Sequence, residues 1–114
     1  MAWFKCSGGS DVDTVLSDGQ VSTLSAYVTA TFDDVSGYKW LCVQFTADIF
    51  EIYTIIPVSV IPADGYYDFW LPVAEPVRGI NARITRTSVT LTSYSGSWRE
   101  IFCSIEGVKK DMFA

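Results

Sequence analysis

The sequence contains no histidine, and it has few charged residues for its length. Without histidine, neither a Ser-His nor a Cys-His nucleophile pair can form, and a common nitrogen ligand of zinc is missing. Charged residues make up 18% of the 114 positions, against about 25% in a typical soluble domain. Because a small domain has much surface to cover, this shortage predicts that a partner covers part of it. The simplest partner is a second copy of the chain.

Cysteine is scarce, and its count is odd. Cys6, Cys42 and Cys103 leave at least one thiol unpaired, and no Cys-x-x-Cys spacing is present. A secreted disulfide framework normally uses an even number. We therefore expect Cys42 and Cys103, which lie in strand-like runs, to be buried free thiols of the core. Neither a metal site nor a cofactor is predicted.

Basic clusters and long apolar runs are also missing. The net charge is −5, and the one adjacent basic pair, Lys109-Lys110, is followed by an aspartate. Nucleic-acid backbones are bound by clustered lysine and arginine, so nucleic-acid binding is not expected. No segment approaches the roughly 18 uninterrupted apolar residues of a membrane helix. The opening MAWFKCSGGSD lacks the apolar region of a signal peptide, so we expect a chain made in the cytoplasm without membrane insertion.

The chain is rich in β-branched and aromatic residues arranged in runs of strand length. Two such runs occupy residues 38–61, separated by a polar break at residues 46–48. In the first run Leu41, Val43 and Phe45 share one face, and the opposite face is also mainly apolar. This pattern predicts a central or doubly covered strand.

Residues 21–32 show the clearest alternation of apolar and polar side chains. A period of two with a polar outer face predicts a half-buried antiparallel strand. Its predicted inward side consists of Leu24, Ala26, Val28, Ala30 and Phe32. The turn signal Asp18-Gly19 is expected to end a short edge strand before it.

Turn signals recur about every eight to twelve residues, as in β-sandwiches and barrels. With no clear helical period, this spacing predicts an all-β fold of seven to eight short strands. We prefer an antiparallel β-sandwich, jelly-roll-like or immunoglobulin-like, to a barrel. The predicted organisation is an N-terminal docking arm with a Gly/Ser hinge at 1–10, the sandwich at 11–108 and a short tail at 109–114.

Carboxylate pairs are the remaining route to catalysis. Asp48 with Glu51, or Asp64 with Asp68, could in principle hydrolyse glycosides. However, Asp48 and Asp64 lie in turn-like segments, where aspartate commonly makes local hydrogen bonds. We expect no enzymatic activity.

Aromatic residues are unusually frequent, and they are the residue class from which we predict a function. Tyr94 and Trp98 flank a Ser-Gly-Ser loop and are the predicted ligand-binding residues, since exposed rings can stack on sugars. Other aromatic residues are predicted to dock on a neighbour or to fill an oligomer interface. These are Trp3, Phe4, Trp40, Tyr53 and Tyr67.

Three stretches, DVSGYKWLCVQF, IIPVSVI and ARITRTSVTLTSYSGSWREIFCSIEGV, together resemble small β-rich domains of tailed-phage and prophage virion proteins. The opening MAWFKCSGG also looks like the start of short phage structural proteins. The resemblance implies a non-enzymatic virion protein, located at the tail tip, in a tail fibre or as a capsid decoration. It further implies self-association, commonly as a homotrimer, contact with other virion proteins and binding of host-surface glycans. The alternative is a stand-alone carbohydrate-binding module.

Overall fold

The computed structural model describes residues 11–74, 78–95 and 98–109, which form two four-stranded antiparallel sheets packed on each other. The strands are β1 (Val12–Ser22), β2 (Ala30–Thr31), β3 (Trp40–Ala47), β4 (Phe50–Pro57), β5 (Tyr67–Ala74), β6 (Arg78–Ile84), β7 (Ser88–Tyr94) and β8 (Ile101–Val108). Sheet A has the order β1-β8-β3-β4, and sheet B has the order β2-β7-β6-β5. The predicted all-β sandwich is confirmed.

The core lies between the two sheets, and β3 supplies its centre. Leu41, Val43 and Phe45 are fully buried on the inner face. β3 lies between β8 and β4 in sheet A. This is the central position that its two mainly apolar faces led us to predict. On its outer face, Cys42 and Gln44 are buried as well.

The two described cysteines are both buried, but they differ in chemistry. Cys103 is a free thiol in the core, and burial raises its pKa well above the ordinary range. Cys42 is disulfide-bonded. The expectation of a buried free thiol is therefore confirmed for Cys103 and wrong for Cys42.

β1 runs through the Asp18-Gly19 turn signal that was expected to end it. Asp18 adopts a φ of 49°, in the left-handed region that aspartate tolerates better than most residues. The register with β8 shifts between Leu16 and Gly19, and the Asp18 amide donates to the Ser104 hydroxyl at 3.0 Å. The turn signal thus forms a β-bulge, which bends an edge strand without ending it.

The alternating segment 21–32 is not one strand, so that prediction was wrong. After β1 ends, the Thr23 hydroxyl accepts hydrogen bonds from the backbone amides of Ser25 and Ala26. This local turn competes with strand pairing, and only Ala30–Thr31 pair with β7. As a result Leu24 is 68% exposed instead of facing the core.

The helical content of the described residues is the three-residue 3-10 turn Val58–Val60. This turn follows β4, so the predicted strand in the second apolar run ends at Pro57. Within the part of the chain that the structure describes, no helix has the length and apolar character needed to cross a membrane.

Candidate functional site

The outer face of sheet B carries a row of aromatic and polar side chains along its edge. Because successive strand residues point to opposite faces, Asp68 and Trp70 point outward from β5, and Tyr66, directly before β5, lies on the same side. The register of β5 with β6 places Asp68 beside Arg83 and Trp70 beside Asn81. We call these five residues the outer-face row. Tyr66 and Trp70 are 51% and 47% exposed.

Arg83 holds one end of the outer-face row in a fixed arrangement. Its Nε and Nη2 atoms donate to the two carboxylate oxygens of Asp68 at 2.8 and 3.0 Å, a bidentate pair. The same guanidinium lies over the ring of Tyr66, with its central carbon 3.7 Å from the ring centroid. The hydrogen bond from Arg83 lowers the pKa of Asp68, and the same bond raises the pKa of Arg83. Three side chains are thus held together before any ligand arrives.

Trp70 marks the other end of the outer-face row, where it lies over the backbone of β6. A Cβ built on Gly79 would overlap the indole at Nε1, so this position has room only for glycine. The Gly79 amide donates to the Ser95 hydroxyl at 2.7 Å, which ties this part of β6 to the end of β7. Between the two ends, Asn81 Nδ2 donates to the Ser93 hydroxyl at 2.8 Å.

The spacing of the row suits an extended ligand. Tyr66, directly before β5, and Trp70 on β5 are four residues apart, about 13 Å at a rise of about 3.3 Å per residue of extended chain. Between them lie a carboxylate, a guanidinium and an amide. The row can therefore contact several groups of a chain-like molecule at once.

The predicted ligand-binding residues pack against different partners. Tyr94 is half-buried with its ring centroid 6.1 Å from that of Phe50. Trp98 is 47% exposed and packs on Tyr27 with centroids 4.7 Å apart. The structure does not test ligand binding at Tyr94 or Trp98, and that role stays a prediction.

The environment of the Tyr94 hydroxyl is unusual. This hydroxyl and the nearby Nε of Arg99 are both buried, and neither makes a hydrogen bond of acceptable geometry within the described residues. The pKa of Arg99 is raised, first by its hydrogen bond to Asp48 and to a lesser extent by Tyr94. The Tyr94 hydroxyl and Arg99 are thus close enough to interact, although the geometry between them falls short of a hydrogen bond.

The predicted interface residues are distributed over the molecule. Trp40 and Tyr53 lie on the outer face of sheet A, on the adjacent strands β3 and β4. Tyr67 lies on the inner side of β5 and stacks on Phe69, with centroids 6.1 Å apart. The docking arm 1–10, with Trp3 and Phe4, lies outside the described residues. The roles of all five residues in assembly stay predictions.

The carboxylates considered for catalysis are engaged elsewhere or dispersed. Asp48 accepts a hydrogen bond from Arg99 at 2.6 Å, and Asp68 is paired with Arg83. Glu51 is exposed on the outer face of sheet A. Among residues 11–74, 78–95 and 98–109, no three His, Cys, Asp or Glu side chains are grouped as a metal site would require.

The outer-face row is not among the sites predicted from the sequence, although the alternation of its β5 residues is visible there. The segment Tyr66–Leu71 alternates, with Tyr67, Phe69 and Leu71 on the face opposite to Tyr66 and Trp70. Both faces contain aromatic residues, so the pattern alone does not tell which one is outward. Sheet B is covered by sheet A on one side only, and this determines which face of the segment points outward.

No protein-family model matches the chain, and no curated protein or solved structure is found to match it either.

Proposed function

We propose that this protein is a non-catalytic module that binds carbohydrate chains along the outer-face row. The observation that supports it is the combination of two exposed rings, Tyr66 and Trp70, with polar groups already oriented between them. Ring faces pack against the C–H faces of pyranoses, and the neighbouring polar groups can reach hydroxyls. Because Arg83 and Asp68 are held in place by each other, little side-chain entropy is lost on binding.

The outer-face row offers both kinds of hydrogen-bonding group that a sugar hydroxyl needs. The Asp68 carboxylate has lone pairs beyond those that Arg83 uses, and the side-chain carbonyl of Asn81 is an acceptor. Arg83 supplies a donor, since Nη1 makes no hydrogen bond to any described residue. A hydroxyl donates and accepts at the same time, so this mixture matches carbohydrate better than a purely apolar or purely charged ligand.

The proposed setting is a phage virion, in which the module would attach the particle to host-surface glycans. This part of the proposal is supported by the sequence resemblance. Self-association belongs to the same proposal, because several copies of the row would raise avidity without any new contact. The alternative of a stand-alone carbohydrate-binding module uses the same surface but predicts a monomer. Sedimentation at micromolar concentration separates the two settings.

The test is a glycan array with the full chain, followed by calorimetric titration of the best neutral oligosaccharide. Trp70→Ala is expected to lower the affinity at least tenfold, since stacking on this ring would be lost. Trp98→Ala tests the competing site predicted from the sequence, because Trp98 has the same exposed fraction, 47%, at a different place. If the outer-face row is the site, the affinity of Trp98→Ala stays within twofold of the wild-type value.

Folding of the variants is monitored by thermal unfolding. Because Trp70 packs over Gly79, Trp70→Phe is included as a variant that retains a ring and should bind with intermediate affinity. The proposal is refuted if the wild-type chain retains no glycan. It is also refuted if Trp70→Ala binds normally while Trp98→Ala does not.

A further inference from the structure

The cations of the described residues are unequally paired. Three form ion pairs with aspartates at 2.6–3.1 Å: Arg83 with Asp68, Arg99 with Asp48 and Lys109 with Asp13. Lys39 and Arg86 form no ion pair with any described residue. Both line one cleft of about 600 Å³, located where β3 begins and β4 ends. In a chain of net charge −5, Lys39 and Arg86, which form no ion pair with a described residue, thus converge on a single concave site.

Arg86 is fixed in the wall of this cleft. Its Nε donates to the backbone carbonyl of Ile61 at 2.9 Å, and its Nη1 donates to the Ser36 hydroxyl at 3.1 Å. These two bonds leave the Nη2 group without a hydrogen bond to any described residue. Asp34 is close enough to interact electrostatically with Arg86, but its carboxylate accepts a 2.7 Å hydrogen bond from the Ser36 amide. The guanidinium is therefore positioned without being neutralised by an ion pair.

The remaining lining of the cleft mixes hydroxyl groups with apolar surface. Ser36 and Ser59 provide hydroxyls, while the aromatic and aliphatic surface comes from Tyr38, Trp40, Pro57 and Val58. Sites for small ligands usually have volumes of about 300–1,000 Å³ and combine apolar walls with a few polar groups. The cleft thus fits a ring with both hydroxyl and C–H faces that also carries a negative charge.

We propose that this cleft binds the carboxylate of a sugar acid. Arg86 and Lys39 supply the positive charge, and Ser36 and Ser59 face the sugar ring. Arginine pairs with carboxylates through its planar fork, and lysine adds a flexible point charge. Because an acidic protein repels acidic ligands at long range, a local positive site is needed to hold one. The proposal rests on the proposed function in taking a sugar as the bearer of the carboxylate.

The test is an NMR titration of the ¹⁵N-labelled full chain with glucuronic acid and N-acetylneuraminic acid, each compared with its methyl ester. The acids should shift the amide signals of Ser36, Lys39 and Ser59, and the uncharged esters should bind at least tenfold more weakly. Lys39→Gln should lower the affinity for the acids about threefold to tenfold. Lys109→Gln removes the same charge from a lysine that is paired with Asp13 outside the cleft, and should change the affinity less than twofold.

Lys39→Gln is a better test than a substitution of Arg86. The Lys39 side chain is exposed and its described hydrogen bonds use only the backbone, whereas the Arg86 side chain makes two hydrogen bonds. Equal binding of acid and ester would overturn the proposal, and so would equal effects of the two lysine variants. Inorganic phosphate is a further probe. If phosphate displaces the sugar acids at equal concentration, the cleft is a general anion site and the assignment to sugar acids is wrong.

Failure of the cleft and failure of the outer-face row give different results. If neutral oligosaccharides bind in a Trp70-dependent way while sugar acids shift no cleft signal, only the present inference fails. If sugar acids bind in a Lys39-dependent way and no neutral oligosaccharide binds, the outer-face row fails and the cleft stands.

Discussion

The indole of Trp70 on β5 lies over the α-carbon of Gly79 on β6. The two residues are diagonal neighbours, since Trp70 pairs with Asn81 and Gly79 pairs with Pro72. Any larger residue at position 79 would occupy the space of the indole. An aromatic side chain that is nearly half exposed thereby has a defined position on the sheet, as a binding surface requires.

Gly79→Ala is therefore expected to displace Trp70 and to weaken both the fold and binding. Insertion of a methyl group into a well-packed position typically costs about 1–3 kcal/mol of unfolding free energy, and we expect the low end of this range because the half-exposed Trp70 can move aside. Denaturant unfolding followed by tryptophan fluorescence measures this loss, and titration with a neutral oligosaccharide measures the affinity.

Gly37→Ala is the control for Gly79→Ala. A Cβ at Gly37 would meet no atom within 4 Å, so its unfolding free energy should change by no more than about 0.5 kcal/mol. Wild-type stability and affinity in Gly79→Ala would contradict the packing described here.

Removal of the hydroxyl should have different effects on stability at Tyr38 and at Tyr94. The Tyr38 hydroxyl donates to Asp13 at 2.9 Å, whereas the Tyr94 hydroxyl is buried without a hydrogen bond to a described residue. A buried polar group without a partner costs free energy, so its deletion is neutral or favourable. Tyr94→Phe should leave the urea midpoint unchanged or raise it, and Tyr38→Phe should lower it. The opposite order would show that the Tyr94 hydroxyl has a partner in solution.

Acid should remove the contribution of the Asp68–Arg83 pair to stability. The hydrogen bond from Arg83 lowers the pKa of Asp68 below its ordinary value of 3.8, so the native state binds fewer protons than the unfolded state between the two values. The contribution is therefore complete above the unfolded pKa and is lost as the pH falls through the folded pKa. Between about pH 5 and pH 2, the urea midpoint of Asp68→Asn should fall less steeply than that of the wild type.

The control for Asp68→Asn is Asp64→Asn, which changes an exposed aspartate in the turn before β5. Its midpoint should follow the wild-type pH profile. Parallel profiles for Asp68→Asn and the wild type would mean that the ion pair does not contribute to the loss of stability at low pH.

Glu106 on the outer face of sheet A should have the opposite pH dependence. Burial raises the pKa of Glu106 above 4.5, and its Oε1 is buried without a hydrogen bond to a described residue. The native state holds this proton more tightly than the unfolded state, so stability falls as the pH rises through the folded pKa. Glu106→Gln should therefore raise the urea midpoint at pH 7 and have little effect at about pH 4.

Glu51→Gln tests whether the location of Glu106 matters. Glu51 is exposed on the same outer face, and its replacement should leave the midpoint unchanged at both pH values. Equal stabilisation by Glu106→Gln at pH 7 and pH 4 would indicate a packing effect and not a change in ionisation.

Several features follow from the sequence alone, because they depend on local properties of the chain. β-Branched and aromatic runs with period two predict strands, and two apolar faces predict the central position of β3. The absence of histidine excludes histidine-dependent catalysis whatever the fold. The alternation of Tyr66, Asp68 and Trp70 against Tyr67 and Phe69 is likewise visible in the sequence.

Other features are decided only by tertiary structure, because they depend on pairing between distant segments. Residues 21–32 alternate like a strand, but the Thr23 turn and the short pairing with β7 leave Leu24 in solvent. The covered side of sheet B determines that Trp70, and not Phe69, faces outward. Lys39 and Arg86 meet in one cleft because β3 begins where the β6–β7 connection lies. Alternation is a local property of a strand, whereas burial and contact across strands require the register and packing of the whole sandwich.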